Sequence, residues 1–356
     1  MKTRLVFWIN FLLLIAVVAG CARKEPVMVF PGEEWARWES PKEAGYDKDA
    51  FPAIIKFLED SMNTSGLLVT THGKVLMEYG DIEKLSYLAS VRKSILSMLY
   101  GIYVENGTIN LDLTLEDLGM DDIGGLLPIE KKAKVRHLIS ARSGVYHPAS
   151  NSGDDLASAP ERGTVEPGTY QLYSNWDFNA AGAAFELMTG KDIYDAIEEH
   201  LALPLQMQDW DRSIHRKSGN LRVSQYPAYH IHLSTRDMAR IGHLMLNNGN
   251  WEGTQIIPAH WVAESTSLIT PLEEMNPPRR RSGYLGYGYM WWIYAGEKST
   301  GPWEGAYTGR GAVGQWITVL PKLGMVVAHK TTTDAGGTTE WPEYDKLLSM
   351  IIAAKK

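Results

Sequence analysis

Ser90 and Lys93, in the stretch YLASVRKSIL, are the pair of residues in this 356-residue sequence best spaced to do chemistry together. A serine hydroxyl is a weak nucleophile until a base removes its proton. A lysine amine becomes such a base when burial or a neighbouring cation lowers its pKa. Residues i and i+3 of a helix share one face, so the two side chains can meet. The spacing therefore predicts a serine nucleophile with its base one helical turn away.

The position of Ser90 strengthens this interpretation. It is followed by apolar residues at helical spacing, so a helix is predicted from Ser90 to Asn106, and Ser90 stands at its start. Backbone amides there are unpaired, and the helix dipole favours a developing negative charge. The motif S-x-x-K occurs once in the chain, although both residue types are common. The alternative is a helix-capping serine with a solvated lysine.

The tripeptide Tyr173-Ser174-Asn175 is a second candidate, and it is the only Y-x-N in the chain. It follows a turn-rich run and precedes a predicted helix, which is a good place for catalytic side chains. A phenol beside a lysine can relay protons between the nucleophile and a leaving group. The amide of Asn175 can hydrogen-bond to a substrate or to the lysine. The alternative is a capping Ser/Asn pair with a packing tyrosine.

The elements that must position these residues come from both ends of the chain. The sequence predicts the following: a hairpin at 66–80, helices within a middle region of about 110–240, antiparallel strands at 286–296, 314–320 and 325–331, and a terminal helix at 341–354. We therefore expect an α/β plus α fold, in which helices flank an antiparallel sheet built from both chain ends. Residues 40–356 would form a single discontinuous catalytic domain. Its α/β part would cover about 40–110 and 240–356, and an all-helical lobe would be inserted at about 111–239.

The N-terminus carries a targeting signal rather than a fold element. Lys2 and Arg4 precede an apolar run that ends in small residues at Cys21. The sequence VVAGC resembles a bacterial lipoprotein cleavage site, so we expect a signal peptide at 1–20, a lipidated Cys21 and a tether at 21–39. The protein would then be exported and lipid-anchored to the cell envelope, facing the periplasm or the exterior. The alternatives are a plain secretory signal cleaved nearby and an uncleaved anchor.

Composition and missing motifs exclude several classes of function. The formal charge is −7 without a basic cluster, so nucleic acid is not an expected partner. Cys21 is the only cysteine, which excludes internal disulfides and zinc–cysteine sites. His230 and His232 form HIH, but no further ligand motif accompanies them, so no metal is expected. The chain has no G-x-S-x-G elbow. We expect no cofactor.

Four segments, in order, resemble the serine β-lactamase-like and penicillin-binding-protein-like superfamily. They are LASVRKSIL, KVRHLISARSGV, PGTYQLYSNWDFNAAG and LSTRDMARIGHLMLNNG. The chain is most similar to the class C β-lactamase-related branch, which includes esterases, D-amino-acid peptidases and 6-aminohexanoate-oligomer hydrolases. The resemblance covers roughly residues 40–355. It implies a β-lactamase/transpeptidase-like fold, with Ser90 as nucleophile, Lys93 as base, Tyr173 as proton relay and Asn175 at the family's amide position.

The family's third element, Lys-Thr-Gly on a strand beside the cleft, is altered in this chain. The best match is Tyr307-Thr308-Gly309 in YTGRGAVGQW, where a tyrosine replaces the lysine. The resemblance implies that Thr308 and Gly309 contact substrate, while the missing cation argues against a β-lactam or a peptide C-terminus as substrate. Ala312 is the expected second oxyanion amide, with Gly311 or Gly309 as alternatives. Trp176 is interpreted as a possible wall of the cleft.

These observations predict a serine hydrolase that cleaves an ester or amide bond of a small or peptide-like substrate through an acyl-enzyme on Ser90. Three alternatives stay open. The first is a β-lactamase or D-Ala-D-Ala carboxypeptidase with the same site. The second is a catalytically inactive envelope lipoprotein that binds peptidoglycan fragments. The third is an anchored scaffold whose helical lobe binds a partner.

Overall fold

The structure of the chain is a computed structural model that describes residues 27–332 and 337–356. The predicted signal peptide and Cys21 lie outside the described residues. The helices are α1 Phe51–Ser61, α2 Val91–Glu105, α3 Val135–Ile139, α4 Asn175–Thr189, α5 Ile193–Ile197, α6 Thr235–Leu246, α7 Ala259–Ser265 and α8 Trp341–Ala353. The strands are β1 Gly66–Thr71, β2 Lys74–Gly80, β3 Ser86–Tyr87, β4 Arg216–Ser218, β5 Ala228–His230, β6 His232–Leu233, β7 Asn250–Trp251, β8 Thr254–Gln255, β9 Leu285–Tyr287, β10 Trp292–Tyr294, β11 Tyr307–Gly311, β12 Gln315–Leu320 and β13 Met325–Lys330.

A seven-stranded antiparallel sheet with the order β2-β1-β13-β12-β11-β10-β9 forms the centre of the fold. The N-terminal hairpin joins the C-terminal strands where β1 pairs with β13, with Gly66 opposite Lys330. This confirms the prediction of one sheet built from both chain ends. Strands β12 and β13 are buried along their whole length, as their β-branched and aromatic composition requires.

Helices cover both faces of the sheet. Helix α6 packs against β1, β12 and β13, and α2 packs against β11 on the same face. On the opposite face, Tyr344 of α8 stacks on Trp316 of β12 with ring centroids 4.1 Å apart. Helix α2 also contacts α4, α5 and α7, so it lies between the sheet and the inserted lobe. The site that α2 carries therefore has a rigid, buried support.

The inserted lobe differs from the prediction in its limits and in its content. It contains α3, α4 and α5, and also a short ribbon of β4 paired with β5. The predicted limit at residue 239 falls inside α6, which packs on the sheet as one unit, so the lobe ends before Thr235. A periodic sequence shows where a helix runs but not which layer it joins.

The described part of the predicted tether is packed on the folded body, contrary to the prediction. Trp35 is buried, and the backbone amide of Val29 donates to the carbonyl of His72. Arg37 forms a bridge with Val75 at the edge of β2. The contacts of Trp35 with α6, and the backbone contacts of Val29 and Arg37 with the hairpin, hold this segment on the folded body. Among the helices of residues 27–332 and 337–356, none has the length and apolar character needed to cross a bilayer.

Candidate active site

Ser90 is held at the N-terminus of α2 by the chain that precedes it. Strand β3 pairs with β6, and the amide of Leu88 donates to the carbonyl of Ile231. Ala89 then adopts a left-handed conformation with φ of 48°, which is uncommon for a residue with a Cβ and is tolerated where the surroundings enforce it. Ser90 occupies the N-cap position of α2, its side chain makes no capping hydrogen bond, and it is half-buried at a cavity wall. Its hydroxyl is therefore both accessible and fixed.

The side chain of Lys93 joins the predicted residues into one cluster. Its Nζ lies 2.9 Å from Oγ of Ser90, 2.5 Å from the phenol oxygen of Tyr173 and 2.8 Å from Oδ1 of Asn175. The two motifs are about eighty residues apart in the sequence, yet they converge on one nitrogen atom. The structure thus brings Ser90, Lys93, Tyr173 and Asn175 together, as their spacing and the resemblance predicted.

Burial sets the protonation of this cluster. Lys93 is 1% exposed, and this burial, together with the charge of Arg92, lowers its pKa well below the ordinary value, while Asp154 opposes the shift. Burial raises the pKa of Tyr173, against the opposing effects of its hydrogen bond with Ser90 and of nearby arginines. The environment therefore favours an uncharged amine and a protonated phenol. These are the forms that a base and a proton donor need.

The loop that leads into α4 fixes the orientation of Asn175. Its backbone amide donates to Oδ2 of Asp154 at 3.0 Å, and its Nδ2 donates to the carbonyl of Ser152 at 2.8 Å. With Nδ2 committed to a carbonyl, Oδ1 is the atom that faces Lys93. Ser174 caps α4 by accepting from the amide of Trp176. The helix start and the loop together hold the amide oxygen against the lysine.

Two adjoining cavities open beside Ser90. The first encloses about 170 Å³, and Ala312 lies in its wall together with Ser90. The second encloses about 360 Å³ and extends away from Ser90. The residues that line both are Arg280, Trp292, Arg310 and Trp341. We call the first the cleft and the second the side cavity.

Thr308 and Gly309 do not line either cavity, contrary to the prediction that they contact substrate. The Thr308 hydroxyl is buried 2.9 Å from that of Thr318, and Gly309 packs against Ser94 of α2. Tyr307 is also buried, edge-on to Trp291. Tyr307 and Thr308 lie in the part of β11 that is paired on both sides, whereas Gly309 pairs only with β12 and packs against α2. All three residues are therefore outside the cleft.

Trp176 was also interpreted wrongly as a possible cleft wall. It is fully buried, and its Nε1 donates to Oδ2 of Asp122 at 2.7 Å. A position two residues from Ser174 on a helix start points the ring into the lobe rather than towards Lys93. Among the described residues, there is no group of three or more His, Cys, Asp or Glu side chains that could hold a metal ion.

The sequence reasoning missed the cationic and aromatic walls of the cleft. Arg310 is the only charged residue of YTGRGAVGQW, and a lone charge in a glycine-rich strand is a signal that could have drawn attention to it. The presence of glycine at position 311 has a steric reason. A Cβ there would lie 2.5 Å from the carbonyl oxygen of Leu88, so only glycine lets β11 approach the chain that leads to Ser90.

Comparison with known proteins agrees with this geometry. The profile of the family described as Beta-lactamase matches residues 54–347. The chain belongs to this family. It is therefore a serine hydrolase related to the β-lactamases, in the wider class that contains esterases and amidases. A search of curated proteins found no match to the sequence.

Solved structures share the fold of this family member at low sequence identity. A Bacillus anthracis protein provisionally assigned as a 6-aminohexanoate-dimer hydrolase is 21% identical with a TM-score of 0.65, over 92% of this chain and 87% of that chain. A family VIII carboxylesterase is 15% identical with a TM-score of 0.62, over 90% and 99% respectively. A penicillin-binding protein homologue from Caulobacter crescentus is 14% identical with a TM-score of 0.62, over 87% and 99%. These likenesses bear on the fold and leave the substrate open.

Proposed function

We propose that this protein hydrolyses ester or amide bonds through an acyl-enzyme on Ser90, with Lys93 as the base and Tyr173 as the proton relay. The observation that carries the proposal is the buried Lys93 amine, which lies within hydrogen-bonding distance of both the Ser90 hydroxyl and the Tyr173 phenol. A catalytic base must be within such reach of the proton that it removes.

The hydrogen-bond inventory of an uncharged Lys93 supports this assignment. A neutral amine has two N–H donors and one lone pair. Asn175 Oδ1 can only accept, so one N–H donates to it. The second N–H donates to the phenol oxygen of Tyr173, which leaves the lone pair for the Ser90 hydroxyl proton. The cluster is thus arranged for proton transfer from Ser90 to Lys93.

The reaction would proceed in two halves. Ser90 Oγ attacks the substrate carbonyl carbon as its proton passes to Lys93. The resulting ammonium returns a proton through the phenol of Tyr173 to the departing alcohol or amine, which leaves the acyl-enzyme. Water then attacks the ester carbonyl while the same pair accepts its proton, and the acid product departs as Ser90 is reprotonated.

The negative oxygen formed in each half needs hydrogen-bond donors. We assign this role to the backbone amides of Ser90, at the N-terminus of α2, and of Ala312, which shares the cleft wall. Such a donor typically contributes about 3 kcal/mol to stabilisation of the transition state. No metal or cofactor takes part in this scheme.

A panel of p-nitrophenyl esters, D-amino-acid amides and nitrocefin tests the proposed function. We expect ester or amide turnover by the wild type, labelling by a fluorophosphonate probe, and loss of both in Ser90→Ala. Nitrocefin belongs in the panel because the argument against a β-lactamase relied on Tyr307, which lies in the core, whereas Arg310 supplies a cation in the cleft. A wild-type protein that turns over nothing and resists the probe would instead be an inactive binding protein or scaffold.

We also propose that the protein is exported and lipid-anchored to the cell envelope through Cys21. This proposal is supported by the basic start, the apolar run and the VVAGC sequence. Palmitate labelling of the protein in a bacterial host, together with membrane fractionation, tests it. We expect label and membrane association in the wild type, and neither in Cys21→Ser. Label-free protein in the soluble fraction of wild-type cells would contradict the anchor.

A further inference from the structure

Arg310 places a positive charge in the wall of the cleft. It is half-buried at the end of β11, and no carboxylate of residues 27–332 or 337–356 lies within 4 Å of its guanidinium. Its guanidinium carbon lies 4.9 Å from the ring centroid of Trp341 and 5.6 Å from that of Trp292. These are cation–π distances, so the two indoles position the charge without neutralising it. A guanidinium keeps its charge, and such a charge away from bulk water calls for an anion.

The neighbouring charges leave the pocket positive. Arg279 and Arg280 both bind the buried carboxylate of Asp155, with contacts of 2.6 Å and 2.7 Å respectively. One acid thus faces two arginines. Glu340 lies at the rim of the cleft and partly offsets the charge of Arg310. The chain as a whole has a formal charge of −7, so the local excess of cations is opposite in sign to the net charge of the protein.

The positive charge of Arg310 lies where a substrate bound at Ser90 would extend. Arg280 and Arg310, with Trp292 and Trp341, line both the cleft and the side cavity. The cleft alone encloses about 170 Å³, which is small beside typical ligand pockets, whereas the side cavity adds about 360 Å³. A substrate held at Ser90 would therefore reach the indoles and Arg310 with the part that enters the side cavity.

We propose that the side cavity is a subsite for a carboxylate-bearing arm of the substrate, with the carboxylate bound by Arg310 beside Arg280 and the carbon frame packed on Trp292 and Trp341. This inference rests on the proposed function, because it names the substrate class of the Ser90 site. It selects esters or amides that carry an acidic group away from the bond that is cleaved. The planar fork of a guanidinium matches a carboxylate, and the indole faces suit an aliphatic or aryl spacer.

Pairs of substrates that differ in charge but hardly in shape test the subsite. On the acyl side, p-nitrophenyl glutarate is compared with p-nitrophenyl glutaramate. On the leaving-group side, 4-acetoxybenzoate is compared with 4-acetoxybenzamide. We expect the anionic member of at least one pair to have a kcat/KM at least tenfold higher than its amide. The pair that shows the preference identifies which half of the substrate enters the side cavity. Equal values in both pairs would overturn the proposal.

Variants at Arg310 separate a charge effect from a general loss of structure. We expect Arg310→Gln to lower the anion-to-amide ratio of kcat/KM about tenfold, mainly through KM for the anion. Arg310→Lys keeps the charge and is expected to keep a preference for the anion. Arg222→Gln, at an exposed arginine outside both cavities, is the matched control and should leave the ratio unchanged. A ratio that Arg310→Gln does not alter would contradict the assignment.

Binding measured without catalysis distinguishes failure of the subsite from failure of the proposed function. Calorimetry on Ser90→Ala should show 4-phenylbutyrate binding at least tenfold more tightly than 4-phenylbutyramide, with the difference lost in Ser90→Ala/Arg310→Gln. If Ser90 is labelled by the fluorophosphonate but neither assay detects an anion preference, the subsite is refuted and the hydrolase stands. If Ser90 is inert but the anion still binds through Arg310, the subsite stands alone.

Discussion

Oδ1 of Asn175 lies 2.8 Å from Nζ of Lys93, and it can only accept a hydrogen bond there because Nδ2 of the same amide donates to the carbonyl of Ser152. One N–H of Lys93 thus donates to a neutral amide oxygen rather than to a carboxylate. A carboxylate at that place would favour the ammonium form. The choice of an amide keeps the amine able to accept the proton of Ser90.

The first prediction concerns the pH dependence of activity. Lys93 works as a base only when unprotonated, and burial lowers its pKa well below 10.5. The kcat/KM for a neutral ester should therefore rise with pH through this lowered pKa and reach its plateau well before pH 10.5. The raised pKa of Tyr173 places loss of the phenol proton above pH 10. Stopped assays corrected for spontaneous hydrolysis measure the profile. A rise in kcat/KM centred near pH 10.5 would show that burial does not lower the pKa of Lys93.

A carboxylate at position 175 should shift the pH dependence of kcat/KM to higher pH. In Asn175→Asp the new charge lies next to the Lys93 amine and raises its pKa, so the acid limb of the kcat/KM profile shifts to higher pH. Activity at pH 7 should fall while activity near pH 10 recovers. Asn110→Asp, at an exposed asparagine whose Oδ1 accepts from the backbone amide of Asp112, is the matched control with an unchanged profile. A uniform loss at all pH values would argue for misfolding instead of a shifted pKa.

Gly311 should be intolerant of even one methyl group. A Cβ at this position meets the Leu88 carbonyl oxygen at 2.5 Å, so Gly311→Ala must push the chain before Ser90 out of place. We expect about 1–3 kcal/mol lower free energy of unfolding and slower fluorophosphonate labelling. Gly32→Ala, where a Cβ meets nothing within 4 Å, should change neither quantity. Urea unfolding and labelling rates measure both, and similar behaviour of the two variants would refute the close approach.

The lowered pKa of Lys330 predicts how the free energy of unfolding depends on pH, independently of catalysis. Burial lowers its pKa from 10.5 to about 7, and its Nζ donates to the carbonyl oxygens of Ser86 and Leu233. Between pH 7 and 10.5 the unfolded chain holds a proton that the folded chain has lost, so the contribution of Lys330 to stability rises with pH in this window. The free energy of unfolding of the wild type minus that of Lys330→Met should therefore increase from pH 7 to pH 10. A difference that is constant or falls would contradict the lowered pKa.

Local patterns in the sequence account for the parts of the fold and site that could be predicted. The hairpin around His72-Gly73 shows alternation and a turn, and α2 shows apolar residues at helical spacing. The spacing of Ser90 and Lys93 works because a helix turn fixes their geometry. Tyr173 and Asn175 were candidates because they follow a turn-rich run, and the resemblance implied their roles. No local pattern could place them beside residues some eighty positions earlier.

The parts that could not be predicted depend on contacts between distant segments. Thr308 is buried because it lies opposite Thr318 within the sheet, whereas Arg310, near the end of β11, lines the cleft. The packing of α4 against the rest of the lobe turns Trp176 to Asp122. Trp35 joins the core because His243 and Arg240 of α6 offer it a surface. Asp122 and His243 are far in sequence from the tryptophans that they contact, so the sequence alone does not reveal these contacts.

The most direct test of the central claim is mass spectrometry of the enzyme quenched in acid during turnover of a p-nitrophenyl ester. The wild type is predicted to carry the acyl mass on the peptide that contains Ser90, and Ser90→Ala to carry none. Lys93→Met should form the same adduct at least about 10²-fold more slowly, as loss of a general base requires. An acyl group on another residue, or an equal rate of acylation without Lys93, would contradict the account.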